Sequence, residues 1–192
     1  MVRSFTDAPV AAESVERILD AGRRGPSAGH SQGIEFVIVT DPATRATIAG
    51  GFQRVVDISG HHNFVAQARV HIVICANAEI YRARYREADK MQARGAIDDD
   101  ALWTVPYWWS DAGCAQMLML LAAVDEGLAA AFVGYGPGEH AVKTLLGIPD
   151  DYRILGAVLV GHEADDARQF GDVSAVPRRR RAAADVVHRD HW

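Results

Sequence analysis

The sequence predicts an α+β fold: a mixed or antiparallel sheet of about four to five strands, flanked by helices and built around one long apolar helix. Three observations carry this. Four short β-branched or small apolar runs, at 34–40, 70–75, 129–133 and 154–160, read as strands. Helical periodicity separates them, but not in the strict order of a doubly wound sheet. From Asp111 to Gly127 the chain is mostly Ala, Leu and Met, and Gln116 is the only polar side chain between Cys114 and Val124.

That last stretch organises the rest. Its residues are strong helix formers. Asp111 stands where an N-cap is expected, and Gly127 where the helix would stop. At 1.5 Å per residue it would run about 24 Å. A surface helix shows one apolar stripe, so a helix apolar nearly all round is expected to be buried on every side. Met117, Leu118, Met119, Leu120 and Leu121 would contribute roughly 8–15 kcal/mol of burial as an upper bound. A chain of 192 residues is small for that task, so part of the helix surface is expected to face a second subunit. It is shorter than the ~20 apolar residues that cross a bilayer.

Length and balance (49% hydrophobic, 23% charged) set a single domain over residues 1–192. A net charge of −5 argues against a nucleic-acid partner. Cys75 and Cys114 sit in apolar runs, which suits buried thiols in a reducing compartment better than a disulfide. No leader or long apolar segment is seen, so a cytoplasmic location is expected.

In order, Met1 to Pro9 reads as an irregular start. Ala11 to Arg24 carries Val15, Ile18, Leu19 and Ala21 at helical spacing. Gly25 to Gly33 breaks that helix with small, polar and permissive residues. Ile34 to Thr40 is expected to be a buried strand. Asp41-Pro42 opens a helix to about Ala49. Gln53 to Gly60 gives no clear signal. His62 to Gln67 reads as a short helix, Val70 to Cys75 as a buried strand, and Ile80 to Lys90 as one charged helix with Tyr81 and Tyr85 on one face. Met91 to Leu102 is a polar connection, and Trp103 to Trp109 an aromatic run. After the long helix, Gly134 to Gly138 is a sharp turn. Glu139 to Leu146 is an amphipathic helix ended by Gly147.

Several stretches look chemical. In Gly25–Gly33, Ser27, His30, Ser31 and Gln32 offer hydrogen bonds to a polar ring edge, although such a composition is also that of a plain loop. Gly134–Gly138 lies between strand and helix, as a phosphate cradle would, but it is not G-x-G-x-x-G, because Glu139 holds the last position. Arg178 to Arg181 is either a solvated basic tail or an anion clamp. His61-His62 lacks any partner at ligand spacing, so no metal is expected. The Trp103–Trp109 aromatics serve packing or stacking on a planar molecule.

The ordered set resembles the FMN-dependent nitroreductase family. Arg3-Ser4-Phe5 with Pro9-Val10 is similar to the end of its N-terminal Arg-Ser-x-Arg-x-Phe…Pro-Val motif. Arg24 to Gln32 is similar to its Ala-Pro-Ser-x-x-Asn-x-Gln loop. Asp111 to Leu128 looks like its buried helix ending in Gly-Leu. Leu145-Leu146-Gly147-Ile148-Pro149, Gly156 to Gly161, Arg180-Arg181, Asp185-Val186-Val187 and Trp192 match the rest. His30 stands where the family has Asn, Gly33-Ile34 where it has Pro-Trp, and the family's first Arg and Ser fall at or before Met1.

The resemblance implies a homodimer with one FMN per subunit at the interface and NADH or NADPH as donor. Residue by residue it implies Arg3 near the flavin pyrimidine. It places Pro26, Ser27, Ala28, His30 and Gln32 against the ring, serving either subunit's flavin. Val133, Gly134 and Tyr135 fall at flavin N5, and Arg178 and Arg180 at the phosphate. Tyr81, Tyr85, Tyr107 and Trp108 fall in the variable segment, about 77–109, that shapes the family's substrate pocket. The expected activity is ping-pong reduction of nitroaromatics, quinones or related electron-poor molecules, with no protein acid or base required. Alternatives are a flavin-storage protein with little turnover and a specialised reductase of a biosynthetic intermediate.

Overall fold

Alternation along the strands divides the apolar residues between two cores, one on each face of an antiparallel sheet. The computed structural model describes residues 1–52, 63–94, 99–165 and 179–192. The elements are α1 (Ala12–Arg23), β1 (Ile34–Val39), α2 (Pro42–Gly50), α3 (Phe64–Gln67), β2 (Val70–Ala76), α4 (Ala78–Tyr85), α5 (Ala88–Arg94), α6 (Asp99–Leu102), α7 (Tyr107–Asp125), β3 (Ala129–Val133), α8 (Glu139–Leu146) and β4 (Arg153–Gly161). Among the described residues one four-stranded sheet forms, in the order β1-β2-β4-β3, antiparallel throughout. The fold is α+β, as expected.

One face carries Val39, Val73, Cys75, Ala157 and Leu159 against α2, α3 and α8. The other carries Ile72, Ile74, Val158 and Val160 against α1 and α7, through Val15, Ile18, Ala112, Met119 and Ala123. β2 is buried along its whole length. The helix starts follow the sequence's capping residues: the side chains of Asp41, Asn63 and Asn77 accept from the amides of Thr44, Ala66 and Glu79. Among the described residues no helix is long and apolar enough to cross a membrane.

Several expectations are corrected. The long helix starts at Tyr107, one turn before Asp111, so the end of the aromatic run is its first turn. Asp111 is therefore not a cap but a buried helical residue, 6% exposed. The helix is not buried all round: Met117, Leu121 and Val124 are 52%, 55% and 68% exposed in the single chain. β1 is not fully buried, because it is an edge strand with Ile38 exposed. The charged helix expected over Ile80–Lys90 is two, α4 and α5, and the polar connection after it is partly helical. The irregular start is pinned: Phe5 bridges Glu163 and is buried, and Val2 N–H donates to Ala130 O. Cys75 is buried, but Cys114 only half-buried. His61-His62 and Gln53–Gly60 lie outside the described residues.

Candidate functional site

The loop between α1 and β1 holds a conformation its residues would not choose. Gly29, His30 and Gln32 all have positive φ, at 62°, 58° and 55°. For the two non-glycine residues this costs of order 1–3 kcal/mol each, so the surroundings must enforce it. They do so with a web of short bonds. His30 N–H donates to Ser27 O at 2.8 Å, and the Ser31 hydroxyl to Ala28 O at 2.6 Å. Ser27 Oγ accepts from Gln32 N–H at 2.8 Å. Arg84 Nε donates to Gly29 O at 3.0 Å. Ala28 N–H donates to Asp111 Oδ2 at 2.8 Å, and the Tyr81 hydroxyl donates to the same oxygen at 2.8 Å. The Gln32 amide and the His30 ring meet at 2.8 Å on the exposed side.

Aromatics pack beside this loop. Tyr85 lies 5.1 Å from Trp103, and Trp103 lies 5.5 Å from Trp108 and 6.5 Å from Tyr107. Arg82 covers the Trp108 ring, and Lys90 that of Tyr85. Tyr107 is the outward member of this group, 38% exposed. Tyr81 is different: it is fully buried against Gly33, and burial followed by the Asp111 carboxylate raises its hydroxyl pKa. A cavity of about 220 Å³ lies behind the loop, lined by Pro26, Ser27, Gln32, Phe36 and Asp111 among others.

The second candidate stretch follows β3. Val133 ends the strand, and Gly136–Gly138 forms a 3₁₀ turn leading into α8. A Cβ built at Gly134, Gly136 or Gly138 would meet nothing within 4 Å. The turn borders a cavity of about 530 Å³ lined also by Ile48, Phe52, Val142 and Leu145. The Tyr135 ring tilts against Phe52 at 5.8 Å, and its buried hydroxyl has no hydrogen-bond partner among the described residues. Burial raises the Tyr135 hydroxyl pKa and pushes the Cys75 thiol up to about 11. Glu139 anchors the turn to β4 by accepting from Arg153 Nε at 2.7 Å and Ile154 N–H at 2.9 Å. Arg153 holds that carboxyl below its ordinary value.

The residues expected at a flavin thus separate into two groups. Pro26, Ser27, Ala28, His30 and Gln32, with Tyr81, Tyr85, Tyr107 and Trp108, gather at the β1 edge. Val133, Gly134 and Tyr135 lie at the β3 edge. Arg3 lies along the same edge but toward the sheet's other end, where β3 begins: it is half-buried between Val2, whose N–H donates to Ala130 O, and Ser4, whose carbonyl accepts from Ala164 N–H. The loop and the turn flank the same end of the sheet, where β1 begins and β3 ends. Three strand spacings, about 14 Å, separate the edges. Arg180 is exposed ahead of the 3₁₀ turn Ala183–Asp185, and Arg178 lies outside the described residues. Among the described residues no cluster of three His, Cys, Asp or Glu is placed to hold a metal. Asp111 is the residue the sequence reading missed. A carboxylate at the head of an apolar run looks like a cap; only the helix's earlier start rotates it inward.

Fold and geometry together define an α+β protein with two candidate stretches at opposite edges of one sheet and an apolar helix face exposed in the single chain. A family-wide sequence profile described as "Nitroreductase family" matches residues 1–162, and the chain belongs to that family. It is 27% identical to the FMN reductase (NAD(P)H) of Bacillus subtilis, over 85% of this chain and 62% of that protein. It is 26% identical to the NADPH-flavin oxidoreductase of Vibrio harveyi, over 84% and 61%. The chain therefore spans less than two thirds of the length of either. The crystal structure of nitroreductase A from Vibrio parahaemolyticus superposes with a TM-score of 0.71 at 26% identity, covering 100% of this chain and 72% of that one.

Proposed function

We propose that the protein is an FMN-dependent NAD(P)H oxidoreductase that reduces electron-poor small molecules such as nitroaromatics or quinones, and that its site is completed in a homodimer. The observation that carries this is the split between the half-sites. The Ser27–Gln32 loop and the Gly134–Gly138 turn face the same end of the sheet but from opposite edges. A second copy that brings its loop to this copy's turn would close one pocket from both. The exposed Met117, Leu121 and Val124 on α7 supply an apolar surface for that contact, beside a cavity lined by Met1, Val2, Leu120 and Leu128. Covering the exposed part of three such side chains is worth roughly 1–2 kcal/mol each.

The residues present fit the cofactor. Gly134, Gly136 and Gly138 leave open space over their backbone, and the buried Tyr135 hydroxyl next to them lacks a partner among the described residues. When bound, FMN would supply the two-electron chemistry, accepting hydride from reduced nicotinamide and passing electrons to the acceptor. In this reading Val133, Gly134 and Tyr135 line the flavin, and Arg3 sets a positive charge beside it. Arg178 and Arg180 take the phosphate. Ser27, Ala28, His30 and Gln32 of the other copy approach the ring edge with Pro26. Tyr85, Tyr107 and Trp108 wall the acceptor's side and exclude water, while Tyr81 supports them from beneath. Residues 1–192 form one domain, with 77–109 as the segment that shapes acceptor choice. A cytoplasmic location goes with this reading.

Anaerobic mixing of the purified protein, FMN and NADH or NADPH tests it. Bleaching of the flavin absorbance and reoxidation by a quinone or nitroaromatic are expected. Bound flavin that neither donor bleaches would favour storage. A protein that remains a monomer at micromolar concentration would remove the shared site.

A further inference from the structure

We propose that Asp111 is a positioning residue: its buried carboxylate, held by Tyr81, sets the shape of the Ser27–Gln32 loop and through it the grip on the flavin. This rests on the reading of that loop as flavin-facing. Three separate parts of the chain meet at one oxygen. α7 delivers the Asp111 carboxylate, α4 the Tyr81 hydroxyl, and the loop the Ala28 amide, with both donors at 2.8 Å from Oδ2. Asp111 is 6% exposed, and among the described residues no cation pairs with it. A carboxylate in that position is costly unless its donors are well placed. An apolar side chain at this position would leave the Ala28 amide and the Tyr81 hydroxyl without this acceptor.

What the carboxylate does supply is an anchor for a strained loop. Ala28 opens the 3₁₀ turn in which Gly29 and His30, and then Gln32, take positive φ. The anchor also lies under the loop, lining the cavity behind Pro26, Ser27 and Gln32. Tyr81 extends the link to the segment expected to choose the acceptor. A change of packing in that segment can then reach the flavin-facing loop without touching flavin itself.

Asp111→Ala, Asp111→Asn and Tyr81→Phe in the full chain test this. Two measurements are made: hydrogen exchange of the 27–32 amides in flavin-free protein, and FMN affinity with the flavin's absorption bands. Asp111→Ala and Tyr81→Phe should speed loop exchange about tenfold, leave α7 and the sheet protected, and raise the FMN Kd about tenfold. Asp111→Asn keeps an acceptor oxygen and should restore both to within about threefold of wild type. If Asp111→Ala does not fold, Tyr81→Phe and Asp111→Asn decide. Unchanged loop exchange in Tyr81→Phe overturns the proposal whether or not flavin binds. Faster exchange with unchanged Kd and spectrum also overturns it, leaving Asp111 a purely structural residue. Wild-type protein that takes up no FMN overturns the grip on flavin together with the flavin reading. The exchange data then still show whether Asp111 shapes the loop.

Discussion

The sheet ends in two loops of opposite character. At the β1 edge, Gly25–Gly33 is strained at His30 and Gln32 and braced by six or more short bonds from Ser27, Ser31, Arg84 and Asp111. At the β3 edge, Gly134–Gly138 has open space over its glycines and borders a cavity of about 530 Å³. The first is shaped before any ligand arrives; the second leaves room for one. A pocket built from one of each places its rigid part against its accommodating part. The difference predicts unequal responses to the smallest possible change, a single added methyl group.

The largest effect is expected where the open edge is anchored. Gly156 has φ 154° and sits where β4 bulges against Ile74 and Cys75. A Cβ there would lie 2.4 Å from Val133 O, which is backbone and cannot move aside. Gly156→Ala should cost about 3 kcal/mol and lower the melting temperature by roughly 6–12 °C. A drop of under about 2 °C would mean that the β3 edge yields more than its close contacts suggest.

β1 pairs directly with β2, and β3 is joined to it through β4, so both edges depend on β2, and acid should loosen that strand. His71 is fully buried; its Nε2 must donate to Val65 O at 2.9 Å, because a carbonyl only accepts. Its Nδ1 has no partner among the described residues, and burial, helped by Arg45, lowers its pKa from 6.5 to about 4. The folded pKa is below the unfolded one, so the unfolded chain binds the extra proton. The neutral ring's contribution is complete above pH 6.5 and is lost as the pH falls toward 4. The full difference is about 3 kcal/mol. Urea melts of wild type and His71→Leu across this window should show the variant's deficit shrinking toward acid. Parallel curves would place His71 in a more solvated state.

These residues also show what the sequence made legible. The strands, the start of α2 and the stop at Gly147 follow from local chemistry, and all appear where the sequence puts them. So do the loop and the turn, since glycine and proline punctuate locally. What failed was rotational and long-range. Asp111 looked like a cap because nothing in one dimension fixes which turn begins a helix, and Trp108 and Trp109 had no obvious reason to join it. The exposure of Met117, Leu121 and Val124 depends on what packs across the helix. The family resemblance pointed to both the loop and the turn, but only the strand order β1-β2-β4-β3 puts them on opposite edges.

A methyl group in the braced loop should cost less than at Gly156. Gly29 has φ 62°, and a Cβ would lie 2.6 Å from the Tyr85 ring, a side chain that can swing. Gly29→Ala should cost about 1–2 kcal/mol, chiefly from the left-handed backbone. It should also disturb the Tyr85–Trp103 contact, visible as a change in tryptophan fluorescence. An unchanged spectrum with full stability would show that the loop is looser than its bonds imply.

The smallest effect on stability belongs to Gly134→Ala. Its Cβ would meet nothing within 4 Å, and its backbone is not in the left-handed region. Folding should change by less than about 0.5 kcal/mol, as for a surface substitution. Yet the same methyl would project into the space proposed for flavin, where a close backbone approach is what a glycine permits. Weaker FMN uptake at unchanged melting temperature is therefore expected, the reverse of the Gly156 result. Gly156→Ala tests the frame of the β3 edge, and Gly134→Ala the room it leaves. If Gly134→Ala binds FMN as tightly as wild type, the open space at this turn is not where the cofactor lies.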